Sequence, residues 1–207
     1  IARGTGSTAT VTGDGRGDRA FATDGGTATV VAGNRNSARA TGTNSRATAG
    51  GTDSDGNTAT ATDGGLAAAG VGTNNDGNTA EVTDGGTAQA GVGGTDNDGN
   101  TATVTGGGTA RAGFGGTGND GNTATVTNGG FAVAGSGTDN DGNTATVTNG
   151  GFGVGQAQAL AGVGGGNNDG NTATATDGGF AVAVVGPFTN IDGLAAIAGA
   201  GDNVTVP

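Results

Sequence analysis

Asp-Gly-Asn-Thr-Ala begins at Asp55, Asp76, Asp98, Asp120, Asp141 and Asp169, with successive gaps of 21, 22, 22, 21 and 28 residues. A period near 22 residues constrains the fold more than any local propensity. Each copy is one supersecondary unit, and it can bury its apolar side only by stacking on its neighbours. Residues 117–130 show the unit clearly: Thr-Gly-Asn-Asp-Gly-Asn-Thr-Ala-Thr-Val-Thr-Asn-Gly-Gly.

Two alternating segments separated by two turns make up each copy. In Thr123–Thr127 the period of two and the β-branched residues predict a strand with Ala124 and Val126 inward and three Thr outward. In the second segment, Ala88, Ala90 and Val92 recur as Ala110, Ala112 and Phe114, whereas Thr87 and Gln89 become Thr109 and Arg111. The constant set is therefore assigned to the interior and the variable set to the surface. Asp-Gly, Asn-Gly and Gly-Gly supply the positive φ of tight turns. A row of hairpins would use the same turns, but it would leave long exposed edges and no closed core. Stacked coils give each interior backbone group a partner about 4.8 Å above or below. The predicted fold is all-β: a β-solenoid of roughly 22-residue coils, two strands per coil, with a thin Ala/Val core. It forms one continuous domain, with degenerate coils over 1–50, regular repeats over 51–185 and a C-terminal segment over 186–207. Pro187, Phe188, Ile191, Leu194 and Ile197 mark that last segment as a cap, and extra residues near 153–158 account for the gap of 28.

Composition removes several functions. The net charge of −11 lacks the basic stripe that nucleic acid requires, and it disfavours anionic lipid. No apolar run reaches the roughly 18 residues of a membrane span. Without His or Cys the usual nucleophile–base pairs cannot be built, and the Gly-rich turns lack Gly-Lys-(Ser/Thr), so the chain is read as non-enzymatic. The seven basic residues are all Arg, and six of them precede residue 47. Ile1 in place of Met points to an N-terminal leader that was removed or not included, consistent with an expected location that is extracellular or at the cell surface.

Stacking aligns Asp55, Asp76, Asp98, Asp120, Asp141 and Asp169 along one edge, where like charges repel. Two readings are open. The carboxylates satisfy turn backbone groups, or calcium is held between adjacent turns; no cofactor is required by the first. Gly116-Thr117-Gly118-Asn119-Asp120 resembles the turn of calcium-binding RTX β-rolls, which include some bacterial ice-binding adhesins, although Asn122 stands where that pattern has an apolar residue. An EF-hand does not fit, because its Gly falls at the wrong position. The outward threonines form a comb: Thr58, Thr60 and Thr62; Thr79 and Thr83; Thr101, Thr103 and Thr105; Thr123, Thr125 and Thr127; Thr144, Thr146 and Thr148; and Thr172, Thr174 and Thr176. Either Thr serves as a soluble strand former, or the grid is a binding plane. With about 6.7 Å along a strand and about 4.8 Å between strands, it resembles the Thr-x-Thr arrays of antifreeze solenoids, interrupted at Glu81. Ice is the alternative partner. Arg16-Gly17-Asp18 matches an integrin-type tripeptide that arises readily by chance here, and Asn203-Val204-Thr205 is a glycosylation sequon.

The second outer face changes from polar to apolar at Phe131, Val133, Phe152, Val154, Phe180 and Val182. Stacked in successive coils, these six are expected to form an assembly interface. The two-strand repeat over roughly residues 50–185 resembles curli-type fibre subunits and other bacterial surface repeat proteins. That resemblance implies a secreted, polymerising subunit whose partner is another copy of itself. The expected function is thus a structural subunit of a bacterial surface fibre or matrix, with ice binding through the Thr face as the alternative.

Overall fold

A computed structural model describes residues 1–149, 157–186 and 189–206. The chain is an all-β solenoid repeat protein, with two parallel sheets and no helix among the described residues. The first sheet stacks, in chain order, Ala2–Arg3, Arg19–Thr23, Ser37–Thr41, Thr58–Thr62, Thr79–Thr83, Thr101–Thr105, Thr123–Thr127, Thr144–Thr148, Thr172–Thr176 and Ala195–Ala198. The second stacks Thr8–Val11, Thr27–Val30, Arg46–Ala49, Leu66–Ala69, Thr87–Ala90, Thr109–Ala112, Phe131–Thr138, Gln158–Gly166, Phe180–Val185 and Asn203–Val206. Each strand pairs with the one a full coil away, so every pairing is parallel.

Register follows residue type. Thr101, Ala102, Thr103, Val104 and Thr105 lie opposite Thr123, Ala124, Thr125, Val126 and Thr127. A slip of one residue would turn every alanine outward, so the alternation fixes the stack. Ala102, Val104, Ala124 and Val126 are fully buried, and valine is the largest aliphatic side chain closed off completely. A core of methyl groups gains little per residue, at about 0.8 kcal/mol per buried CH2. Polar interactions inside the stack therefore carry more weight than usual.

Three features differ from the sequence reading. Val92 and Phe114 are half-buried rather than interior. Gly91, at φ 55°, breaks the alternation just before Val92, and a Cβ there would lie 2.5 Å from the Asn78 side chain. The interior place past Ala90 thus belongs to an asparagine. The C-terminal segment adds a further coil, in which Ala195–Ala198 and Asn203–Val206 continue the two sheets in register; Pro187 and Phe188 lie outside the described residues. Finally, a third line of parallel bridges joins Thr52, Thr73, Thr95 and Thr117, and Gly116–Thr117 pairs with Gly137 and Thr138. Of the insertion expected near 153–158, residues 153–156 lie outside the described residues. The strands beside it, Phe131–Thr138 and Gln158–Gly166, are long and shift register between Ser136 and Thr138.

Candidate functional site

The asparagines of the repeat are interior. Asn36, Asn57, Asn78, Asn100, Asn122, Asn143 and Asn171 are fully buried in one column. The backbone N–H of each donates to the side-chain oxygen of the one before: Asn78 to Asn57 at 2.9 Å, Asn100 to Asn78 at 2.9 Å and Asn122 to Asn100 at 3.0 Å. Side-chain amides repeat the contact, and Asn100 Nδ2 also donates to the Asn119 carbonyl at 2.7 Å. A second column starts at Ser54 and runs through Asn75, Asn97, Asn119 and Asn140 to Asn168. Both columns end on apolar residues, where Ile191 N–H donates to Asn168 and Leu194 N–H to Asn171. Asn122, which departs from the RTX pattern, is thus a rung of a buried amide relay.

The aspartate edge runs the opposite way. Asp55 N–H donates to Asp76 Oδ1 at 2.6 Å, Asp76 to Asp98 at 2.6 Å, Asp98 to Asp120 at 2.7 Å, Asp120 to Asp141 at 2.8 Å and Asp141 to Asp169 at 2.8 Å. Each of these carboxylates therefore answers a turn N–H of the preceding coil. Burial pushes the Asp98 and Asp141 carboxyls above the ordinary carboxylate range. The N–H groups of Asp76 and Asp120 oppose this respectively, and neighbouring carboxylates, including Asp96 beside Asp98 and Asp139 beside Asp141, reinforce it. Among the described residues, no three His, Cys, Asp or Glu side chains converge on a metal position.

Arg16-Gly17-Asp18 takes its place in the same scheme. Asp18 Oδ1 accepts the Asn36 N–H at 2.8 Å, so it begins the interior column. Arg16 N–H donates to Asn34 Oδ1 at 2.9 Å, so it begins the aspartate column. The tripeptide is the first, degenerate copy of Asp55-Gly56-Asn57.

The threonine comb is assembled as expected. Thr101, Thr123, Thr144 and Thr172 share one column; Thr103, Thr125, Thr146 and Thr174 a second; Thr105, Thr127, Thr148 and Thr176 a third. Thr58 lies opposite Thr79, and Thr60 opposite Glu81. Among the described residues, Thr62 is the one comb member whose hydroxyl bonds within the protein, to the Val82 carbonyl at 3.4 Å. The remaining comb hydroxyls face solvent on a parallel sheet. Ala195 and Ile197 close the grid at one end, opposite Thr172 and Thr174.

No family model, curated protein or solved structure matches this chain.

The second outer face is less apolar than expected. Gln158, not Phe152, stands between Phe131 and Phe180, and Leu160 stands between Val133 and Val182. Val133 and Val182 are only 6% and 5% exposed, which removes them from any surface patch. The Arg111 guanidinium lies over the rings of Phe114 and Phe131, at 4.4 and 5.7 Å from their centroids. Phe152 and Val154 lie outside the described residues. Asn203 of the sequon opens the last strand and is exposed.

Sequence reasoning missed the amide columns. Their signal was present: an asparagine directly before the first strand, at the coil period, in every regular copy.

Proposed function

We propose that this chain is a non-enzymatic, extracellular structural protein, a self-assembling subunit of a bacterial surface fibre or matrix of the curli-like kind. The uniformity of the stack supports this reading: coil after coil pairs in parallel and in register, so the partner that a strand edge of this solenoid fits best is another copy of the same coil. Among the described residues, Thr8–Val11 pairs with Thr27–Val30, and Asn203–Val206 with Phe180–Val185. A strand edge of this kind is a template for a strand of another chain. Apolar side chains are exposed in the first and last described coils: Ile1 and Ile197 are 70% exposed and Val11 46%. Such edges are commonly blunted by lysine or proline, yet neither residue type occurs in these two strands. Sedimentation and electron microscopy of the purified chain over a concentration series test the reading. Filaments that grow with concentration are expected, and a strictly monomeric species at the highest concentration would reject it.

The threonine grid favours a second reading, binding to ice. Its unbonded hydroxyls and methyl groups form a two-dimensional lattice of about 4.8 by about 6.7 Å. Thermal hysteresis and faceted ice growth are expected, both weakened by Thr125→Lys. Unaltered ice growth around folded protein would remove this reading.

A further inference from the structure

We infer that the outer face of two adjacent coils is a docking site for an acidic polysaccharide, whose carboxylate or sulfate groups are held by Arg16, Arg19, Arg35 and Arg39. The site is built within one chain, so it goes beyond the assembly reading above and does not depend on it.

Register brings the four arginines together. Arg19 opens the strand Arg19–Thr23 and lies opposite Ser37, while Arg39, on the strand Ser37–Thr41, lies opposite Phe21. On the turn edge that leads into these two strands, Arg35 N–H donates to the Arg16 carbonyl at 2.8 Å. All four side chains are exposed, on two rungs about 4.8 Å apart. Among the described residues, none of the four guanidiniums is ion-paired. Asp18, between Arg16 and Arg19, turns inward: Oδ1 accepts the Asn36 N–H at 2.8 Å, and Oδ2 is shut off from solvent. Asp14 and Asp24 flank the patch, in the turns before Arg16 and after Thr23. Asp55 is the next carboxylate along the edge, beyond Asn34.

Arg35 carries the strongest argument. Its φ of 57° lies in the left-handed region. The same place in the stack belongs to glycine elsewhere, from Gly17 through Gly56, Gly77 and Gly99 to Gly193, each with positive φ. Glycine takes that conformation freely, whereas a residue with a Cβ is strained in it. The fold therefore gains nothing from a side chain here, and strain kept at one copy points to a function of that side chain.

The chemistry of the patch selects the ligand. A guanidinium presents paired, coplanar donors that match the oxygens of a carboxylate or sulfate. The Arg39 guanidinium lies over the Phe21 ring, 5.1 Å from its centroid. Stacking engages the face of the guanidinium and leaves its N–H edges for an anion. Beside them Ser37, Thr58 and Thr60 supply hydroxyls on the next rungs, and the half-buried Phe21 ring adds apolar contact for sugar C–H groups. Acidic groups, hydroxyls and C–H faces occur together on an acidic glycan. Duplex nucleic acid, with one charge per about 1.7 Å, needs a longer basic track, and along the stack it would meet Asp55, Asp76 and Asp98. The glycan thus crosses the two coils in the strand direction, where the arginines lie.

Calorimetric titration of the purified chain with polygalacturonate, dextran sulfate, neutral dextran and single-stranded DNA provides the test. Arg35→Gly restores the glycine of the other copies, so it should melt at or above the wild-type temperature while weakening glycan binding about tenfold or more. Arg39→Thr should weaken binding in the same way. Arg46→Thr, an equal loss of charge on the other sheet, should leave it unchanged, and added salt should weaken the wild type. Binding of only one of the two acidic glycans supports the site and identifies its anion. If neither binds, if neutral dextran binds as well, or if Arg46→Thr weakens binding as much as Arg35→Gly, the site is overturned. DNA binding tighter than either glycan would overturn the assignment to a polysaccharide. Filament growth is followed separately by sedimentation, so the failure of either reading leaves the other standing.

Discussion

Asn100→Ala should destabilise the protein far more than its small change in apolar area suggests. Asn100 Oδ1 accepts the Asn122 N–H at 3.0 Å and the Asn122 amide at 3.1 Å, and its own amide donates to the Asn119 carbonyl at 2.7 Å and to Asn78 Oδ1 at 3.0 Å. Alanine removes all four contacts, although Asn78 Oδ1 keeps the residue-100 N–H. The Asn122 amide keeps the Asn140 carbonyl at 2.8 Å, but the Asn122 N–H and the Asn119 carbonyl each lose a buried partner. Each orphaned group costs about 1–3 kcal/mol, so the expected loss is about 2–6 kcal/mol. That is a large share of the roughly 5–15 kcal/mol stability of a typical domain. Thr103→Ala, on the outer face of the same coil, is the control and should stay within about 0.5 kcal/mol. The chain has no Trp or Tyr, so denaturant unfolding followed by far-UV CD is the suitable assay. If Asn100→Ala unfolds at the same denaturant concentration as Thr103→Ala, the amide column is not a source of stability and the reasoning fails.

Other expectations follow from the same geometry. Gly91→Ala should cost about 1–2 kcal/mol from its left-handed φ alone, with more lost as Asn78 is displaced; an unchanged melting temperature would contradict the packing described. The folded-state carboxyls of Asp98 and Asp141 lie above their unfolded value of 3.8. Their contribution to stability is therefore fully present below that value and lost as pH rises through the folded-state values. Melting at low ionic strength should accordingly occur at a higher temperature near about pH 4 than at neutrality, and a steady fall on acidification over that range would refute the assignment. Because Oδ1 of each aspartate in the column from Asp55 to Asp169 already accepts a turn N–H, millimolar calcium and chelator should give the same melting temperature. A rise with calcium would favour a metal-bridged edge.

Much of this architecture is legible in the sequence, because repeat period and side-chain parity are direct readouts of stacking. Ala124 and Val126 had to face inward together, and the Thr columns followed from that. The asparagines were harder to place. Asn is the default residue of a tight turn, so Asn122 reads as turn chemistry until stacking shows that an amide can pair with its own copies a coil away. The same gap hid the places of Ile191 and Leu194, which occupy the relay positions of one more coil. Val92 was misplaced because alternation was carried through Gly91, whose positive φ reverses it. The aromatic face depended on which residues follow the insertion, and counting copies placed Phe152 where pairing places Gln158.

Helical reconstruction of filaments by cryo-electron microscopy tests the central claim, that the solenoid assembles by continuing itself. Each sheet advances ten strands along its stacking order per copy, so at about 4.8 Å per strand the expected axial rise is about 48 Å. The density should show strands running unbroken across the joint at that spacing. Filaments with a markedly different rise, built from side-to-side contacts with the terminal strands left free, would contradict the account.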